Sequence, residues 1–222
     1  MTTFKSNRFL LAAGLLLLLY WLVLPGQGAA AANREDKTAA PLERILSGLK
    51  ETAAKTRTLA ADMEQEKHLA IFSRVLHSSG RFYFRRPDCW RWELRKPAVS
   101  GLSVCNGIGK SWSRGDTQPV QFKTSQKPWL SHFTTQITAW TTADLDFLKK
   151  QYALKLLREN PPLIRLTPRN ERARQMIKAL EIGLAPNLSH VQTITIREND
   201  DDFTVIKFSH VVINQPLPDD LF

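Results

Sequence analysis

A run of alternating residues in the middle of the chain constrains the fold most. Between Ser79 and Lys96, apolar and polar residues alternate on either side of Arg86-Pro87. Successive side chains of a β-strand point to opposite faces, so the pattern predicts two adjacent antiparallel strands. Their shared apolar face carries Phe82, Phe84, Trp90, Trp92 and Leu94. A face this rich in aromatic rings must be covered by a core, a partner or a hydrophobic ligand.

Apolar spacing elsewhere predicts the order of the remaining elements. One helix begins at Pro41 and ends near Thr56, and two more lie between residues 128 and 150, with Thr142 as N-cap of the second. The other expected strands are 59–66, 100–105, one through Trp112, 120–122, 152–158, 163–167, 177–184, 191–197 and 203–212. Residues 170–184 have a helical alternative. The order is α+β, with one long antiparallel sheet that curls and a helical pair to cover its concave face.

The N-terminus has the pattern of a secretory signal peptide. Lys5 and Arg8 precede an apolar run from Phe9 to Leu24, and small residues at Ala30 and Ala32 fit a cleavage site. The prediction is a leader of residues 1–32, cleaved near Ala32, and one exported domain of residues 33–222. The alternative is an uncleaved anchor, although the run is shorter than the ~20 residues of a membrane span.

The charge balance is basic. The full chain has a net charge of +10, and the predicted leader contains two basic and no acidic residues, so the mature chain carries +8. Such a surface suits anionic lipids or acidic partners. The basic residues are spread along the chain and form no nucleic-acid-binding motif, so we expect no nucleic-acid partner.

The chain contains two cysteines, Cys89 and Cys105. They lie on strands joined through the turn near Lys96-Pro97, which brings them roughly opposite one another. A disulfide is compatible with an oxidising compartment, and a pair of buried thiols is the alternative. Without a matching histidine cluster they do not form a zinc site.

No segment of the chain matches a known catalytic motif in full. Residues 101–105 miss the nucleophile-elbow pattern by one position and lie in an expected hairpin strand. Residues 109–111 resemble the end of a phosphate-binding loop, but Val104 stands where its first glycine belongs. The five histidines form no metal-binding spacing. We therefore expect no enzyme activity, no cofactor and no metal.

Several short motifs, in their order, resemble the LolA-type periplasmic carriers of outer-membrane lipoproteins. The resemblance is carried by Gln65, Ser79–Phe82, Arg86-Pro87, Trp90–Glu93, Pro97, Asn106-Gly107 and Trp112, and then by 164–168 and 213–222. It implies an incomplete β-barrel with an N-terminal helix and a helical lid over an apolar cavity for acyl chains. It also implies an inner-membrane ABC transporter complex as donor, an outer-membrane acceptor, and a lid-tethering role for Arg86.

The aromatic side chains have two interpretations, an ordinary core or the lining of an acyl-chain cavity. A single-layer sheet with few helices and six tryptophans favours the cavity. The expected lining is Phe82, Phe84, Trp90, Trp92, Leu94, Trp112, Phe122, Trp129, Phe133 and Trp140.

The sequence departs from the family pattern at Cys89-Trp90 and at Asn106, where aspartate is commoner. A divergent paralogue carrying a glycolipid, a phospholipid or another amphiphile is therefore an alternative to a lipoprotein carrier. A lipid-sensing envelope regulator is another, although such regulators normally carry a second domain after the sheet. An exported hydrolase ranks last. We expect a monomer that binds an acylated lipoprotein or other lipid cargo.

Overall fold

The computed structural model describes residues 39–71 and 74–222, without the side chains of residues 128, 129 and 131–133. The predicted leader and its cleavage at Ala32 lie outside these residues. Helix α1 spans Ala39–Lys55. Six strands follow: β1 (Thr58–His68), β2 (Leu76–Arg85), β3 (Cys89–Lys96), β4 (Ser100–Cys105), β5 (Ile108–Ser113) and β6 (Val120–Lys123).

The second half of the chain begins with two helices, α2 (Pro128–Thr142) and α3 (Leu145–Gln151), after a short 3₁₀ turn at Thr124–Gln126. The remaining elements are β7 (Tyr152–Glu159), β8 (Pro162–Pro168), α4 (Glu171–Arg174), β9 (Ile177–Leu184), β10 (Val191–Glu198), β11 (Phe203–Ile213) and a 3₁₀ turn at Asp219–Leu221. Residues 170–184 thus contain a short helix and then the expected strand.

All eleven strands form one antiparallel sheet in the order β6-β5-β4-β3-β2-β1-β11-β10-β9-β8-β7. Two consecutive meanders, β1–β6 and β7–β11, meet through the pairing of β1 with β11. The strands β6 and β7 are the two edges, so the sheet does not close on itself. The α+β class and the single unclosed antiparallel sheet predicted above are confirmed.

The aromatic hairpin has the predicted register. Phe82 lies opposite Trp92 and Phe84 opposite Trp90, so these rings share one face of β2 and β3. The next hairpin turns at Asn106 and Gly107, which have positive φ angles of 50° and 75°. Two consecutive left-handed residues are what a two-residue hairpin turn requires.

The helices agree with the apolar spacing, with one correction at α3. The predicted N-cap Thr142 is instead the last residue of α2, and the next residue, Ala143, caps this helix in a left-handed conformation. Asp144 caps α3 instead, and its carboxylate accepts a hydrogen bond from the backbone N–H of Phe147 at 3.0 Å. A short carboxylate suits an exposed helix N-terminus because it satisfies a free N–H group.

The helices α1, α2 and α3 cover one side of the sheet, which we call the inner face. Leu42, Ile45 and Leu46 of α1 are buried against this face, together with Leu148 of α3. The opposite, outer face carries most of the charged strand residues. The inner face is therefore where an apolar site can form.

Candidate functional site

The aromatic cluster occupies the inner face of β2 to β4. Its buried members are Phe82, Phe84, Trp90, Leu102, Val104 and Leu130. Leu130 comes from the first turn of α2 and is completely buried. The start of α2 therefore packs against the aromatic hairpin.

The aliphatic cluster occupies the inner face of β7 to β11. Its buried members are Leu42, Ile45, Leu46, Met63, Ala139, Leu148, Tyr152, Leu156, Ile164, Leu166, Ala173, Ile177, Leu180, Ile182, Leu184, Ile196 and Ile206. Ala139, in the last turns of α2, belongs to this second cluster. The helix α2 thus runs across the inner face from one cluster to the other.

Trp92 and Phe208 lie between the two clusters and contact both. The Trp92 ring meets Phe82 edge-on at 6.0 Å between centroids, and meets Phe208 edge-on at 6.5 Å. Both side chains are only half-buried, unlike the completely buried Trp90. The middle of the inner face therefore keeps accessible aromatic surface, which could contact an apolar ligand.

Most of the expected lining residues lie on the inner face. Phe82, Phe84 and Trp90 are buried in the aromatic cluster, and Phe122 packs against it. Leu94 and Trp140 pack, half-buried, against the aliphatic cluster. The side chains of Trp129 and Phe133 are outside the described part of the structure. Contact of these residues with acyl chains stays a prediction.

Trp112 lies on the outer face of the sheet, so the prediction that it lines the inner face is wrong. The two-residue turn pairs Cys105 with Ile108, which puts Trp112 opposite Gly101. Gly101 in turn lies opposite Glu93, an outer-face residue. The indole stacks instead under the guanidinium of Arg91, 4.2 Å from the ring centroid. It lines an open outer pocket of about 520 Å³.

Arg86 contacts the N-terminal helix. Its Nη2 donates a hydrogen bond to the carbonyl oxygen of Ala53 at 2.6 Å, and its Nε donates to that of Thr56 at 3.0 Å. Within the described residues these bonds hold the C-terminal end of α1 and do not reach α2 or α3. The expected tether of the helical pair is replaced there by a clamp on α1.

The outer face holds the disulfide. Cys89 and Cys105 are bonded, with their Cα atoms 4.1 Å apart on neighbouring strands. This settles the choice between a disulfide and free thiols. Cys89 and Tyr83 pack under Phe222, and Leu217 and Leu221 extend this outer cluster. The 217–222 segment therefore covers the disulfide side of the sheet.

Two carboxylates on the outer face are each held by two arginines. Glu181 accepts hydrogen bonds from Arg165 at 2.7 Å and from Arg197 at 3.0 Å. Burial alone would raise the pKa of Glu181, but the hydrogen bonds from Arg197 and Arg165 outweigh it and lower this pKa. Glu93 has the same arrangement: burial opposes, and hydrogen bonds from Arg95 and Arg91 lower its pKa. These groups stabilise the sheet away from the apolar site.

Several inner-face residues are not among those expected from the sequence. Phe208, Met63 and Tyr152 complete the apolar surface, and Gln136 of α2 lies beside the hydroxyl of Tyr152. Alternation in β11 signals one of them, because Thr204, Ile206 and Phe208 are two residues apart. The pairing of β1 with β11, which brings Phe208 beside the aromatic hairpin, has no local signal.

Two features are absent from residues 39–71 and 74–222. No helix there is both long and apolar enough to traverse a bilayer. In the same residues, no group of three or more His, Cys, Asp or Glu is arranged to hold a metal ion.

The family model for the outer membrane lipoprotein carrier protein LolA matches residues 54–222, so the chain belongs to this family. A comparison with curated proteins found no match.

Three solved structures resemble the fold. A LolA superfamily protein from Nitrosomonas europaea is 11% identical, with a TM-score of 0.42. The match covers 81% of the present chain and 96% of the Nitrosomonas chain. MucB is 14% identical, with a TM-score of 0.50, and the match covers 82% of the present chain and 62% of the MucB chain. A putative outer membrane lipoprotein-sorting protein domain from Vibrio parahaemolyticus is 8% identical, with a TM-score of 0.39. The match covers 80% of the present chain and 95% of the Vibrio chain.

Proposed function

We propose that this protein is a periplasmic carrier without catalytic activity, which shields the acyl chains of lipoproteins and moves them from the inner to the outer membrane. Membership of the LolA family supports this proposal. The observation that carries it is the half-buried pair Trp92 and Phe208, on an apolar face covered by a helix. Aromatic surface in that position suits a hydrophobic ligand better than a fully packed core does.

The energetics of the cargo explain the need for a cover. Each CH₂ group removed from water gains about 0.8 kcal/mol, so free acyl chains return to the nearest membrane. A carrier must bury several chains and still release them. The helix α2 spans both apolar clusters through Leu130 and Ala139, so movement of this single element would open the site along its length.

The partners follow from the same proposal. We expect an inner-membrane ABC transporter complex to load the carrier and an outer-membrane acceptor to receive the cargo. The signal peptide of residues 1–32 would deliver the chain to the periplasm, where Cys89 and Cys105 can oxidise.

Brominated acyl chains provide a direct test. Bromine quenches tryptophan fluorescence at contact, so a purified lipoprotein with dibromostearoyl chains should quench the emission of this protein after loading. A Trp92→Phe variant should lose part of that quenching, and Trp112→Phe should lose none. Absence of quenching, together with failure to extract the lipoprotein from membranes, would reject the carrier.

The identity of the cargo can be read from the same material. Native mass spectrometry of protein purified from the periplasm should show an acylated protein bound to it. A bound glycolipid or phospholipid instead would favour a carrier of another amphiphile. Stable capture of an envelope regulatory protein, without cargo transfer, would favour a lipid-sensing module.

A further inference from the structure

Gln136 carries a polar group that the fold buries without a partner. It lies on α2 between Leu130 and Ala139, and only 1% of its surface is exposed. Its Oε1 accepts a hydrogen bond from the Tyr152 hydroxyl at 3.4 Å. Its Nε2 is shielded from solvent and has no acceptor within the described part of the chain. Buried donors in native proteins nearly always have an acceptor, so this one needs an explanation.

Tyr152 fixes the orientation of this amide. It opens β7, is completely buried in the aliphatic cluster, and lies 6.3 Å from the Trp140 ring. Burial raises the pKa of Tyr152, so its phenol stays protonated and can donate to Oε1. With the oxygen occupied, the N–H₂ end is the free end of the side chain.

The surroundings select the type of acceptor. Trp140, Leu145, Phe147 and Leu154 pack, partly buried, on the same aliphatic cluster as Tyr152. The neighbouring polar groups on α2 are the buried side-chain hydroxyls of Thr134 and Thr138, which are neutral as well. Where every nearby donor is neutral and most of the surface is apolar, the matching acceptor is neutral too, because a charge would lose its hydration without compensation. The carbonyl oxygen of an ester or an amide meets this requirement.

We propose that Gln136 recognises an acyl carbonyl of the cargo, with Nε2 donating a hydrogen bond to the carbonyl oxygen. The site then distinguishes acyl chains from plain hydrocarbon. This inference rests on the proposed function, since it requires acyl chains beneath α2. Gln136 acts here as a specificity-determining residue, and Tyr152 as the residue that positions it.

Two lipids that differ only in the carbonyl test the proposal. Dipalmitoyl phosphatidylglycerol has ester linkages, and its dihexadecyl analogue has ethers in their place. Each is titrated against the protein loaded with cis-parinaric acid, whose fluorescence reports an apolar environment. The ester lipid should displace the probe at about tenfold lower concentration, which corresponds to about 1.4 kcal/mol.

Substitution of the amide should remove this preference. Gln136→Met keeps the length of the side chain and should bind the ester lipid only as well as the ether lipid. Tyr152→Phe, which retains the ring, should reduce the preference by freeing the amide. Gln121→Met is the matched control on the exposed part of β6 and should retain the full preference.

The outcomes separate the two proposals. Equal displacement by both lipids in the unmodified protein would overturn the carbonyl contact and leave the carrier intact. Retention of the ester preference in Gln136→Met would overturn it as well, and Tyr152→Phe provides the same test if the first variant does not fold. If the protein takes up neither cis-parinaric acid nor the brominated lipoprotein, the carrier function itself fails.

Discussion

The guanidinium of Arg86 donates to the carbonyl oxygen of Ala53, with an Nη2–O distance of 2.6 Å, and so fastens α1 to the turn between β2 and β3. A second bond, from Nε, reaches the carbonyl oxygen of Thr56 at 3.0 Å. The last carbonyl groups of a helix lack partners within it and carry partial negative charge, so a cation there is favourable. The contact fixes the point where α1 leads into the sheet.

Replacing Arg86 with leucine should loosen the end of α1. The variant loses two hydrogen bonds from a charged donor, so we expect a decrease of about 1.5–3 kcal/mol in the free energy of unfolding. Amide hydrogen exchange should accelerate in the last turn of α1. If the clamp also governs release, the variant should load cargo normally and unload it poorly.

Arg85→Leu is the matched control for this experiment. Arg85 is the neighbouring residue, but its guanidinium lies over the Phe222 ring at 4.8 Å and within 3.7 Å of the Asp219 carboxylate. Its loss should accelerate exchange near residue 222 and leave α1 unchanged. Unchanged exchange in α1 of Arg86→Leu would contradict the clamp.

The local alternation of apolar and polar residues predicts the correct face of the sheet for the aromatic hairpin, but it is not sufficient to predict the face of Trp112. Alternation alone gave the shared face of Phe82 and Trp92, because side-chain direction in a strand repeats every two residues. The face of Trp112 depends on counting across the Asn106-Gly107 turn, which fixes the register of β4 and β5. Counted across that two-residue turn, Trp112 falls opposite Gly101 and so on the face opposite to Trp90 and Trp92.

Other parts of the site have no local signal. Phe208 reaches Trp92 only because β11 pairs with β1, where Phe208 lies opposite Met63, 208 − 63 = 145 residues earlier in the sequence. Arg86 finds its acceptors in α1 through the same long-range folding. Such contacts depend on the closure of large loops, and short-range propensity carries no information about them.

The two indoles on opposite faces provide a sharp test of the site. Trp92→Asp should abolish binding of cis-parinaric acid, because it puts a charge in the middle of the apolar inner face. Trp112→Asp should retain binding, since its ring lies on the outer face against Arg91. Circular dichroism of both variants checks that the sheet is intact. Equal loss of binding in the two folded variants would contradict the inner-face site.

The disulfide should contribute measurably to stability. Cys89 and Cys105 close a loop with a sequence separation of 16, for which chain entropy predicts about 3 kcal/mol. Urea unfolding with and without reductant should show this difference. The double variant Cys89→Ser/Cys105→Ser should match the reduced protein and show no response to reductant. A stability unaffected by reduction would refute this contribution.

Glu181 should make stability depend on pH below the neutral range. Its pKa is lower in the folded chain than its ordinary value of 4.5, because hydrogen bonds from Arg197 and Arg165 outweigh the effect of burial. Folding therefore favours the ionised carboxylate. The resulting stability is fully present above pH 4.5 and is lost as the pH falls through the lowered pKa.

The variant Glu181→Gln should measure that contribution. At pH 7 the free energy of unfolding of this variant should be about 1–3 kcal/mol lower than that of the unmodified protein, since the substitution leaves two arginines without their carboxylate. The difference should shrink as the pH falls below 4.5, because protonation neutralises Glu181 in the reference protein too. Glu159→Gln removes an exposed ion pair with Arg44 and should cost about 0–1 kcal/mol. Urea midpoints between pH 2.5 and 7 distinguish the two, and a pH-independent gap for Glu181→Gln would show that packing, rather than charge, accounts for the loss.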